Sequence, residues 1–126
     1  MKMLLSVAAG GAIGAGGRYL VNVLVTRVAG HGFPYATFIE NILGCLLLGA
    51  LVEFMALNWS PSQEMKAFLV IGVLGSFTTF SAFSLDAVSL FERGQLWLAG
   101  AYVAGSVVLS LAGFVAGMMA LRAALT

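Results

Sequence analysis

Four long apolar stretches, joined by connections of only a few residues, leave this chain almost no choice of solvent. A membrane helix needs about 20 mostly apolar residues, and such stretches run at about 3–28, 35–57, 66–91 and 95–123. Composition agrees: 61% of the residues are hydrophobic and 9% are charged, where a soluble domain carries roughly a quarter. The apolar stretch after Met1-Lys2 continues past Ala15, and no small-residue cleavage site precedes a soluble part. It is therefore expected to be the first membrane helix rather than a signal peptide. The spacing predicts one all-α, four-helix transmembrane domain over 1–126, embedded in a lipid bilayer.

Several function classes are excluded early. A formal net charge of +1 offers neither a basic patch for nucleic acid nor an acidic tail. The single cysteine, Cys45, and the single histidine, His31, make neither a disulfide framework nor a zinc-type ligand set. No nucleophile-base arrangement and no Gly-Lys-Ser/Thr phosphate loop occurs. The chain is expected not to be an enzyme.

Charge counting leaves orientation open. With four spans, Lys2, Lys66 and Arg122 fall on one side, and Arg27 and Arg93 on the other, with Arg18 toward that second side. An even split gives the positive-inside rule nothing to act on. Both a single orientation and insertion both ways up are compatible with it. Small-residue pairs, Gly10 with Gly14 and Gly113 with Gly117, predict close helix packing in lipid.

Polar groups inside apolar spans need a reason, because lipid cannot satisfy them. Thr37 and Asn41 lie one turn apart on the second span. The Asn41 amide suits either helix-helix bonding or anion contact. The third span carries Gly75-Ser76-Phe77-Thr78-Thr79-Phe80-Ser81-Ala82-Phe83-Ser84, five hydroxyls and three phenyl rings in ten residues. Paired threonines weaken a helix locally, and a broken helix exposes carbonyl oxygens suited to a hard cation. The segment from Gly75 to Thr79 is expected to be unwound. Past it, Phe80 and Phe83 share one face and Ser81 and Ser84 a neighbouring one, with positive ring edges available to a small anion. On the fourth span Tyr102, Ser106 and Ser110 recur at every fourth position and form one polar line. Arg18 either snorkels to the headgroups or makes an electropositive vestibule. Glu40 and Asp86 are acids at membrane depth, and Glu40 is expected to face away from Asn41, since adjacent residues do not share a helix face.

The Gly-x-x-Thr-Thr-Phe-Ser-x-Phe-Ser run, the Thr-x-x-x-Asn pair upstream and the glycine-rich first span with its Arg18-Tyr19 pair resemble the CrcB/Fluc family of fluoride channels. The resemblance covers essentially the whole chain. It implies a passive fluoride exporter of the cell inner membrane, built as an antiparallel, dual-topology homodimer with two pores and a third helix broken mid-membrane. It implies that Asn41, Phe80 and Phe83 line each pore, that Tyr102, Ser106 and Ser110 form its polar track, and that Thr37, Thr79, Ser81 and Ser84 supply further hydroxyls. It implies that the backbone carbonyls of Gly75 and Thr78 hold a structural sodium ion at the dimer interface, and that Arg18 is a vestibule residue. Departures from the pattern are Ser76-Phe77, where Gly-Leu is usual, Ala82 for threonine, Asp86 for glutamate, and Glu40 for a small or apolar residue. The competing readings are a small multidrug-type cation transporter, which wants an acid in the first span where this chain has none, and a structural membrane protein with no transport.

Overall fold

A computed structural model describes residues 1–126, all helix and connection. Helix α1 (Lys2–Ala29) and α2 (Tyr35–Leu57) are continuous. The third span is composite. It opens with one turn, α3 (Gln63–Lys66), capped by the Ser62 hydroxyl, which accepts the Met65 N–H at 3.1 Å. It continues over Ala67–Leu74 with π-type winding, passes through the short α4 (Gly75–Phe77), and resumes as α5 (Phe80–Glu92). Helix α6 (Leu96–Leu125) closes the chain. Four helical segments, Lys2–Ala29, Tyr35–Leu57, Gln63–Glu92 and Leu96–Leu125, are long and apolar enough to cross a membrane.

The helices pair by alternate spans, each pair running parallel. Along the α1 pair, Gly10 lies against Phe68 and Gly72, and Gly14 against Val73. A methyl group at any of Gly10, Gly14 or Gly72 would enter the facing backbone. Glycine here lets two main chains touch, which in lipid replaces the missing hydrophobic drive with dispersion contact. Along the α2–α6 pair the same device recurs: Gly49 meets the Phe114 carbonyl and Gly117 the Leu46 carbonyl. At the far end of that pair the Glu53 carboxylate accepts two hydrogen bonds from Arg122, at 3.1 Å and 3.2 Å.

The interruption of the third span is narrower than the sequence suggests. Gly75–Phe77 stays helical, and only Thr78 (φ −85, ψ 157) and Thr79 (φ −155, ψ 120) are extended. The expected unwinding from Gly75 to Thr79 is thus confined to two β-branched residues, the pair least suited to a helix there. The irregular winding extends instead upstream, into the π-type stretch whose last turn bonds the Gly75 N–H to the Val70 carbonyl. Such winding is rare and recurs where helices serve a site. Phe77, the bulky departure from the motif, lies between two helices: Gly17 of α1 and Gly44 of α2 leave room for its ring.

Candidate functional site

The two extended threonines free backbone groups that a continuous helix would pair, and those of Thr79 and Ser76 find partners on other helices. Asn41 answers both sides of one peptide unit: its Nδ2 donates to the Thr79 carbonyl at 3.1 Å, and its Oδ1 accepts the Thr79 N–H at 2.8 Å. The Ser76 carbonyl, which in an unbroken helix would accept the Phe80 N–H, instead accepts Arg18 Nε at 3.1 Å. Arg18 therefore sits at the interruption, its charge against the C-terminal end of α4, the sign that helix carbonyls favour. The Thr79 hydroxyl caps α5 by accepting the Ala82 N–H at 3.1 Å and lies 3.3 Å from the Ser81 hydroxyl.

Restarting the helix at Phe80 aims its first turn at α6. Phe80 and Phe83 stand with ring centroids 5.4 Å apart at 44°. They border a groove of about 320 Å³ with Asn41, Thr79, Ser106 and Ser110, together with Thr78, Cys45, Val107 and Leu111. The hydroxyls of Ser106 and Ser110 are buried and have no hydrogen-bond partner in the chain. No ionised side chain lines the groove. Phe83 is buried, whereas Phe80 is 77% exposed, so a single chain leaves one wall of the groove open.

A second, polar cavity of about 260 Å³ lies near the α1–α2 connection, bordered by Asn22, Thr26, His31, Thr37, Asp86, Ser89 and Arg93 among others. Tyr102 stands between the two. It is fully buried, its ring lies 5.2 Å from Phe83 and 5.4 Å from Phe33 by centroid, and its hydroxyl donates to Asp86 at 3.2 Å. An unbroken series of rings, Phe33, Tyr102, Phe83 and Phe80, thus runs from the connecting loop to the groove.

Of the residues singled out in the sequence, Asn41, Thr79, Phe80, Phe83, Ser106 and Ser110 converge on the groove, and Thr78 joins them. Thr37 lies on the polar cavity, and Tyr102 is near both. Ser81 and Ser84 border neither cavity. Glu40 also borders neither. Sequence reasoning passed over Cys45, although it follows Asn41 by one helical turn, and over Val107 and Leu111, which sit beside the two serines. It also passed over the Glu53–Arg122 pair, for which 69 residues of separation leave no local signal.

No group of three or more His, Cys, Asp or Glu side chains is placed to hold a metal ion.

Comparison with known proteins places this architecture. A curated relative from Cereibacter sphaeroides, "Fluoride-specific ion channel FluC", is 56% identical over 122 residues, 97% of this chain and 96% of its own length. Relatives with the same description come from Agrobacterium fabrum, 56% identical over 112 residues (89% of this chain, 90% of that one), and from Rhodospirillum centenum, 48% identical over 124 residues (98% of each). The family model described as "CrcB-like protein, Camphor Resistance (CrcB)" matches residues 5–118. With four membrane-length apolar helices and this span of similarity, the chain is a multi-pass membrane protein that belongs to the CrcB-like family.

Proposed function

We propose that this protein is a fluoride channel of the bacterial inner membrane, a passive conductor rather than an enzyme, and that the groove between α5 and α6 is one side of its pore. The carrying observation is the convergence of two unpartnered hydroxyls, Ser106 and Ser110, with two phenyl rings in a groove free of ionised side chains. Fluoride holds its water tightly, so a pore must offer several donors together. Hydroxyl hydrogens and positive ring edges do this without a fixed cation that would trap the ion. The relatives' description as fluoride-specific channels supports the same ion.

The working unit in this reading is an antiparallel, dual-topology homodimer with two pores, and the break in the third span lies at mid-membrane. Three observations support it. The break falls at the centre of Gln63–Glu92, the exposed face of Phe80 needs a covering wall, and the positive charges split evenly between the two sides. Within each pore Asn41, Thr79, Phe80, Phe83, Ser106 and Ser110 face the ion. Thr37 and Tyr102 lie along its approaches, the Ser81 hydroxyl stands beside that of Thr79, Ser84 follows on the same helix, and Arg18 sets a positive potential behind the break.

A structural sodium ion fits the oxygen chemistry at the break. The Thr79 N–H is taken by Asn41 and the Ala82 N–H by the Thr79 hydroxyl, so the carbonyls of Gly75 and Thr78 lose their usual helical donors. Hard carbonyl oxygens of this kind hold sodium in interrupted membrane helices, and a second copy would double their number. When bound, the ion would supply a positive charge tying two copies together at their breaks.

A multidrug-type cation transporter wants an acid early in its first span. Glu40 lies outside both cavities, and α1 carries no acid at all. A structural protein without transport predicts no flux. Purified protein in liposomes loaded with fluoride should release it when a potassium ionophore clamps the potential, as read by a fluoride electrode, and should retain chloride under the same conditions. Retention of both ions would end the channel reading.

A further inference from the structure

The buried acid Glu40 has no role in the pore described above, and its surroundings are unusual. It is 1% exposed, its Oε1 is buried, and that oxygen has no hydrogen-bond partner. It lies in the sixth position of α2, one turn beyond Thr37 on the wall of the polar cavity. The ionisable groups whose charge reaches it are Arg18 from α1, Asp86 from α5 and Tyr102 from α6. None neutralises it by contact: Arg18 is bonded to the Ser76 carbonyl, Tyr102 is bonded to Asp86, and Glu40 forms no ion pair. A buried carboxylate without a partner is strongly disfavoured in an apolar surrounding. Either a cation or a proton can remove that charge. A metal ion needs room and several oxygen ligands, whereas Glu40 borders neither cavity. A proton needs neither.

We propose that Glu40 is a proton-binding site whose occupancy sets the rate of anion passage, fast when the carboxyl is protonated and slow when it is ionised. The inference rests on the channel reading for its effect on rate, though not for the proton site itself. Glu40 adjoins Asn41 of the groove and follows Thr37 of the polar cavity by one turn; a unit negative charge about 10 Å from an anion's route, at the effective dielectric of a protein, slows passage roughly tenfold. The sign follows directly: flux rises as pH falls. A channel of this kind would open further in acid surroundings, where neutral hydrogen fluoride enters a cell fastest.

Two measurements on the purified, reconstituted protein test it together. Infrared difference spectra between pH 5 and pH 10 should contain a protonated-carboxyl C=O band that Glu40→Gln removes. Fluoride efflux, corrected for protein-free liposomes, should decline roughly tenfold over the pH range in which that band disappears. Glu40→Gln should hold the fast rate across the whole range, and Glu40→Ala should do the same, guarding against a fold defect in either variant. A spectrum unchanged by Glu40→Gln overturns the proton site, whatever the flux. The wild-type pH profile surviving in both variants overturns its control of rate. Absence of fluoride flux at every pH would instead defeat the channel reading, leaving the infrared result to decide the proton site.

Discussion

Asn41 shows how one side chain takes over from several backbone bonds. By donating and accepting at the same peptide unit of Thr79, it imitates the pairing of a neighbouring strand and fixes the point at which α5 restarts. Asn41→Ala would leave both Thr79 groups without a partner, each worth about 1–3 kcal/mol when buried. A clear fall in the thermal midpoint of detergent-solubilised protein is expected. Asn41→Asp keeps the acceptor for the Thr79 N–H but sets a carboxylate oxygen against the Thr79 carbonyl, so its midpoint should also fall below wild type. The two phenylalanines separate stability from transport. Phe83 is packed on Tyr102, while Phe80 is 77% exposed in the single chain. Phe83→Leu should cost about 1 kcal/mol, and Phe80→Leu should leave the single-chain packing little changed. Both should abolish most fluoride efflux from liposomes; normal efflux with both replaced would remove the rings from the pore.

At the scale of elements, glycines decide how closely the spans approach. Gly10 and Gly14 lie where a Cβ would meet the backbone of the π-wound stretch, whereas nothing lies within 4 Å of a Cβ at Gly16. Gly10→Val and Gly14→Val should each destabilise the fold by about 1–3 kcal/mol and lower the monodisperse yield. Gly16→Ala should match wild type or exceed it slightly, because alanine is the better helix former. Equal behaviour of all three variants would contradict the close α1 contact. The small-residue pairs were legible in the sequence, since a spacing of four puts both on one helix face. Which backbone they face was not, because that depends on the relative rotation of two helices. The π winding of Ala67–Leu74 was likewise invisible: its apolar run, AFLVIGVL, reads as ordinary helix.

For the whole molecule, the open question in the charge pattern becomes a measurable one. With Cys45 replaced by serine and a cysteine placed at Ser60, an impermeant maleimide applied to intact cells should label about half of a dual-topology population. Labelling of all or none would establish one orientation. The α2–α6 pair carries its own test. Glu53 is buried while Arg122 is largely exposed, so the two ends of the ion pair are not equivalent. Arg122→Met strands a buried carboxylate and should lower the thermal midpoint more than Glu53→Gln, which leaves an arginine free to reach water.

Hydropathy by itself determined that this chain has four stretches long and apolar enough to cross a membrane, because the length of an apolar run is a property of the sequence alone. The Ser/Thr/Phe run and the line of Tyr102, Ser106 and Ser110 were equally legible, since each depends on spacing within one helix. Tertiary structure decided the rest. It narrowed the interruption to Thr78 and Thr79, took Arg18 to the Ser76 carbonyl 58 residues away, committed Asn41 to a peptide 38 residues away, and buried Glu40 without a partner. The physical reason is common to the first three, and the burial of Glu40 follows from the same packing. A helix breaks where its freed backbone groups find donors and acceptors on other helices, and those partners exist only once the spans have packed.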